Sequence, residues 1–292
     1  MDLLFGLIPL ASDPNAEGAP FTHDRTLVGV SMLAAVVTAY AFLEMAARAR
    51  AHTGVTAALW RTAAGAMMGG GIWATHFIGL VAFETPLEHG FFFMPTAISC
   101  VVGIVCGALA FLIAGERPSW PALLMTGVGV GVGMVVMHYL GMLGLRIEAE
   151  LSYRPIPVAA TSAGALLGIV TAFLLGHRLD SSWLRGVLAF PMGAVTAGLH
   201  YTDIAATIIT PKPAFTPPQQ DSDALLALLA IAATGIIVGL ALAAVVYDRR
   251  RADAPPEKRD TSDVVVIPHP SRRASDEEGT VVHIPDRNAR SR

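Results

Sequence analysis

Seven apolar runs, at about residues 27–47, 60–83, 94–114, 121–145, 156–176, 184–208 and 224–247, fill most of the chain up to position 247. Each is close to the ~20 residues that a helix needs to cross a bilayer. Only helices and closed barrels span lipid, because every backbone polar group must be satisfied internally. The short alternating segments of a barrel are missing here. With 53% hydrophobic and 15% charged residues over 292 positions, lipid is the expected solvent for most of the chain. The expected fold is therefore an all-α membrane protein with seven transmembrane helices. Its two lysines, Lys212 and Lys258, fall outside the runs, which excludes a retinal-type Schiff base on the last span.

Three regions follow. Residues 1–25 are expected as an extramembrane segment, since Met1–Leu10 lacks the basic start and full apolar stretch of a signal peptide. Residues 26–247 form the seven-helix membrane domain. Residues 248–292, rich in charge, proline and serine, are expected as a disordered cytoplasmic tail. Two apolar snippets within it, Val264–Pro268 and Val281–Pro285, are too short for a core. No catalytic domain fits in that tail, so the chain is not expected to be an enzyme. The segment Pro211–Pro218 is expected as a loop held extended by proline.

Inside the runs stand His76, His138 and His200, separated by 62 residues each time, with a glycine (Gly69, Gly131, Gly193) seven positions before each one. Self-similarity at a fixed period marks a supersecondary unit used three times. The histidines lie in spans two, four and six. The simplest plan is three two-helix repeats plus one leading helix: span two with three, four with five, six with seven. The even-numbered spans then surround an inner axis. Seven residues is about two helical turns, so each glycine shares its histidine's face and lets helices approach closely.

An imidazole in hydrocarbon needs a partner, so three equivalent ones point to a shared site. Metal ligands are expected at His76, His138 and His200. Met134 and Met142, four residues to either side of His138, put two thioethers on its helical face. Met137, Tyr139, Tyr201 and Asp203 are candidates for a supporting shell. Soft sulfur with imidazole suits copper, above all Cu(I). Three histidines near a carboxylate also accept Zn(II) or Cu(II), and haem held by two histidines is a further alternative. Without any ligand, the same histidines would bond one another, the backbone, or Tyr139, Tyr201, Thr75 and Thr202 as interhelical glue. Met67, Met68 and Met192 are expected as packing. Cys100 and Cys106 are expected as inert thiols, Glu44 as an ordinary helix-end charge, and His23, His52, His89, His177, His269 and His283 as solvated.

Arginines set the expected orientation. Arg48, Arg50, Arg61, Arg117, Arg178, Arg185 and Arg249–Arg251 flank one side, and acidic residues accompany the basic ones on the other. The N-terminus is then outside, the C-terminus is in the cytoplasm, and the histidines lie in the outer half of the membrane.

The run Met137-His138-Tyr139 followed by Gly141-Met142 resembles the bacterial MHYT domain, with Thr75-His76-Phe77-Ile78-Gly79 and Leu199-His200-Tyr201-Thr202 at equivalent places. The resemblance covers roughly residues 20–250. It implies an integral-membrane sensor in the bacterial inner membrane whose histidines and methionines bind copper and, through it, a diatomic gas. The chain departs from the family pattern. Methionine stands both just before the histidine and four residues after it only in the second copy, Phe77 replaces tyrosine, and Asp203 replaces the glycine of positions 79 and 141. The expected function is thus a sensory or signalling module binding a metal through three intramembrane histidines. Alternatives are a metal-ion or proton transporter, or a membrane protein holding haem non-covalently. The expected partners are the lipid bilayer, the diatomic gas and a separate cytoplasmic signalling protein, with no nucleic acid among them.

Overall fold

The computed structural model describes residues 8–176, 178–212 and 223–253, leaving aside the side chains of 223–230, 233, 240 and 251–253. The chain separates into two units, Met1–Tyr247 and Asp248–Arg292. Seven helices are found among the described residues: α1 (Arg25–Ala51), α2 (Gly54–Val81), α3 (Phe93–Ala114), α4 (Trp120–Met142), α5 (Pro155–Gly176), α6 (Ser182–Ala205) and α7 (Asp223–Asp253). The first five are long and apolar enough to cross a membrane. This is a multi-pass helical membrane protein, and the expected seven spans become seven helices of which five meet that criterion. In α6 the apolar character is diluted by Arg185, His200 and Asp203, all of which it buries. The last helix also runs past Tyr247 to Asp253, six residues into the expected tail. The two tail snippets, residues 1–7 and 213–218, His177, His269 and His283 lie outside the described residues.

Six short strands among the described residues went unforeseen: β1 (Thr22–His23), β2 (Phe83–Glu84), β3 (His89–Phe91), β4 (Leu145–Ile147), β5 (Ala149–Tyr153) and β6 (Thr207–Pro211). They pair antiparallel as β1 with β2, β3 with β4 and β5 with β6. Each pair joins the strand entering one helix to the strand leaving the next. The repeating unit is therefore strand–helix–helix–strand, built from α1 and α2, then α3 and α4, then α5 and α6. The helix left over trails the repeats as α7; it does not lead them. A period of 62 residues is the same under either pairing, and two- to five-residue strands give too little pattern to choose between them.

The six repeat helices close on themselves: each packs on its neighbour in sequence, and α6 packs back on α1, with α2 also touching α4 and α6. The glycine ahead of each histidine makes an inner helix fit its outer neighbour. A Cβ on Gly69 would stand 1.9 Å from the Gly103 carbonyl oxygen of α3, on Gly131 2.5 Å from Leu166 of α5, and on Gly193 2.9 Å from the Val36 nitrogen of α1. In lipid such close packing drives helix association, since tails are as apolar as leucine. One apolar cluster, with Phe42, Ile72, Met134, Met137, Ile169 and Met192, fills the middle of the bundle. A second, with Leu80, Phe83, Tyr139, Met142, Tyr153 and Ile209, lies under the strands.

Helix starts follow local chemistry. The Asp24 carboxylate accepts from the Leu27 N–H at 2.7 Å to cap α1, and Ser119 caps α4 with Pro121 in its first turn. All three inner helices, α2, α4 and α6, end at the strands, and all begin at the opposite end, where the arginines gather.

Candidate metal centre

His76 on α2, His138 on α4 and His200 on α6 each lie within five residues of their helix's last residue. None is more than 3% exposed. The equal spacing thus lands on equivalent places in three helices that share an axis, and the rings meet there. His76 Nδ1 stands 3.0 Å from His138 Nδ1 and 3.0 Å from His200 Nδ1. Ring centroids are 4.7 to 5.7 Å apart, all edge to face.

Three converging Nδ1 atoms cannot satisfy one another. A ring nitrogen carries either a proton or a lone pair, so His76 Nδ1 can serve one neighbour and not both. A cation drawing on three lone pairs removes the conflict. Nitrogens bound at about 2.0–2.1 Å to a tetrahedral ion lie about 3.3 Å apart, a few tenths of an ångström wider than found here. The three Nε2 atoms point away from the centre and are shielded from solvent; none makes a hydrogen bond among the described residues, although a carboxylate oxygen comes within 3.3 Å of His138 Nε2. That leaves Nε2 to carry the proton and Nδ1 to bind, so this donor set fits a metal ion. The group can hold one. The field agrees: α2, α4 and α6 bring their C-terminal, partly negative ends to the cluster, which favours positive charge.

The bed under each ring comes from the next repeat. A Cβ at Gly79 would lie 2.5 Å from His200 Nε2, and one at Gly141 2.2 Å from His76 Nε2. The third equivalent position is Asp203, and its Oδ2 lies 3.3 Å from His138 Nε2. A carboxylate facing the far nitrogen of a ligating histidine is the usual way to fix its tautomer and strengthen it as a ligand. Asp203 is fully buried, so it is not a solvated residue at the membrane surface. The Tyr139 hydroxyl donates to its Oδ2 at 2.7 Å, and the Thr161 hydroxyl of α5 donates to its Oδ1.

The other expected site residues divide. Tyr139 joins the centre through Asp203. The Tyr201 hydroxyl is instead 2.5 Å from Ser31 Oγ on α1, although its ring packs edge-on against His200. Met134 and Met137 sit in the mid-bundle cluster with Met67, Met68 and Met192, while Met142 sits in the cluster under the strands. The two thioethers expected to flank His138 thus occupy separate apolar clusters. Thr161 and Ser31 were not foreseen, being single hydroxyls in apolar runs whose partners lie on other helices.

Four further expectations change. His23 is half-buried, its ring edge-on to Tyr201 and Phe83. Burial lowers its pKa and the Glu84 carboxylate partly opposes that. Of the other histidines, His52 closes α1 with Nδ1 2.8 Å from the Arg48 carbonyl, and His89 of β3 packs edge-on against Phe83 of β2. Glu44 is no helix-end charge: it is 1% exposed, and Arg185 donates to both its oxygens at 3.0 and 3.2 Å. Those partners are 141 residues apart, beyond any local pattern. Beyond the histidines, burial first and the Asp203 carboxylate second push the Tyr153 hydroxyl well above its ordinary pKa.

A helical membrane module with three histidines converging at its axis is the class that fold and site define. The sequence profile of MHYT, described as a bacterial signalling protein N-terminal repeat, matches residues 69–127 and 131–189. The chain thus carries two repeats of the MHYT family. It is 31% identical over 239 residues, 78% of its length, to the bifunctional diguanylate cyclase/cyclic di-GMP phosphodiesterase MucR of Pseudomonas aeruginosa, covering 34% of that protein. It is 28% identical over 68% of its length to an uncharacterized signaling protein of Caulobacter vibrioides and 29% over 63% to the signaling protein YkoW of Bacillus subtilis, covering 24% of each. The chain thus spans about a third or less of these relatives. No solved structure matches it.

Proposed function

We propose that this chain is a sensory membrane module that binds a metal ion, copper before zinc, through His76, His138 and His200 and signals the state of that site to a cytoplasmic partner. The carrying observation is the meeting of three buried Nδ1 atoms, two of them 3.0 Å from the third. Similarity to signalling proteins supports the sensory role. Rings in edge-to-face contact leave no slot for a porphyrin, which favours an ion over haem. A diatomic gas is the proposed signal and the bacterial inner membrane the proposed location, with the N-terminus outside. The chain itself is proposed to bind and signal without catalysing a reaction.

The residues divide the work. The three imidazoles tie together the ends of α2, α4 and α6. Asp203 orients His138 and is itself held by Tyr139 of α4 and Thr161 of α5, so a displaced His138 ring disturbs three helices. A bound ion supplies Lewis acidity, an open coordination position and, for copper, one-electron chemistry. Packed helices hold discrete arrangements, so loss of one imidazole from the centre shifts the inner helices as bodies.

Elemental analysis of the purified full chain tests the reading. Stoichiometric metal in the wild type and none in His138→Ala is the expected result. Metal-free wild type, or equal content in both proteins, overturns it.

A further inference from the structure

At the arginine end the bundle is hollow. A cavity of ≈ 50 Å³ is lined by Arg50, Arg61, Phe111, Glu116, Leu123 and Phe173 among others. A second, of ≈ 40 Å³, shares Arg50, Phe111, Leu123 and Phe173 with it. One water needs about 10–15 Å³, so the first cavity alone takes a group of several heavy atoms.

Its polar wall is cationic and under-partnered. Arg61 Nε and Nη1 are shielded from solvent and have no hydrogen-bond partner among the described residues. Leaving donors of a charged group unmet costs more than the same loss for a neutral group. Arg50 Nη2 donates to the Leu179 carbonyl at 3.1 Å, the same oxygen to which Arg185 Nη1 donates at 3.0 Å, which brings two like charges together. Of the nearby carboxylates, Glu44 pairs with Arg185 and Glu116 accepts from the Gly54 N–H at 2.7 Å; Glu44 and Asp180 also act on Arg50, which leaves Arg61 as the under-partnered cation. Across segments 44–61, 115–118 and 178–185 stand six arginines against three acids. The partly positive N-terminal ends of α2, α4 and α6 point the same way.

We propose that this cavity binds a phosphate group, with Arg61 and Arg50 as its donors. Guanidinium forks match phosphate oxygens in geometry and charge. The ligand is a phospholipid headgroup at that membrane face or free phosphate. Phe111, Leu123 and Phe173 beside the guanidinium groups give a headgroup's hydrocarbon a wall that free phosphate does not use.

Titration calorimetry on the purified full chain separates these sources, using inorganic phosphate in one arm and short-chain phosphatidylglycerol in the other. Binding in at least one arm is expected, weakened at least about tenfold by Arg61→Gln. Arg178→Gln, at an exposed arginine of the same end that does not line the cavity, is expected to bind as the wild type does. Binding of inorganic phosphate identifies the free anion, and binding of the lipid alone identifies the headgroup. If Arg61→Gln does not fold, Arg50→Gln takes its place. No binding in either arm overturns the proposal, as does equal weakening by the cavity variant and Arg178→Gln, which would mark general surface attraction.

Discussion

At the scale of single residues, the third position after each histidine decides how the imidazole of the preceding repeat is held. Two repeats place glycine there because the ring lies where a Cβ would stand. The third places Asp203, and only His138 gains a carboxylate. Gly141→Ala should therefore drive the His76 ring from the centre and weaken metal affinity at least about tenfold, in line with loss of a group that orients a ligand. Gly198→Ala on α6, where a Cβ meets nothing within 4 Å, should bind as the wild type, and metal titration of both proteins checks the contrast. Asp203→Asn should keep the fold, since the amide oxygen accepts from one of the Tyr139 and Thr161 hydroxyls while its NH2 donates to the other, and weaken metal affinity by about 10–100-fold. Equal affinity of Asp203→Asn and wild type would return that carboxylate to a structural role. The three histidines and the odd aspartate were legible as a break in an exact period. The hydroxyls that hold Asp203 were not, because Thr161 carries no signal until α5 is known to pack beside α6.

Among elements, the decisive contacts are inner helix against outer helix, and here the sequence spoke less clearly. The glycines recur at a fixed offset, so close packing could be read, but the partner could not. Gly193 against Val36 shows that α1 serves α6 as α3 serves α2. The phase of the repeat became visible only through the strand pairs. Gly69→Ala should cost about 1–3 kcal/mol or more, because the added methyl meets the Gly103 backbone, which cannot rotate away as a side chain can. Gly29→Ala, with open space around it, is the control in a detergent unfolding experiment. The buried Glu44–Arg185 pair joins α1 to α6 and closes the ring. Removing one partner strands the other charge, so Glu44→Ala should cost about 3–5 kcal/mol in the same measurement.

For the molecule as a whole, the class was readable early, because apolar length and composition are set by the bilayer and need no tertiary knowledge. The arginine side and the histidine half were legible as well; hidden were the strand pairs that lie at the histidine end. Cation-favouring helix ends and imidazoles occupy one end of the bundle, and guanidinium groups with helix N-termini occupy the other. That polarity ties orientation to function. On the proposed orientation, with basic connections on the cytoplasmic side, the strand pairs and the three histidines would face outward. A reporter inserted after Glu88, between β2 and β3, should then be active in the periplasm, and one fused after Arg251 should be active in the cytoplasm. Both loci are needed, since a single fusion can be misread when a truncated chain inserts abnormally. Arg48, Arg50 and Arg61 lie around the first connection, and positive charge near the first helices usually dominates insertion. Replacing these three by glutamine should therefore raise the fraction of chains with reversed reporter activities, whereas replacing Arg146 and Arg154 at the strand end should not. Cytoplasmic activity after Glu88 in the unmodified chain would turn the molecule over and put its metal centre on the inner face.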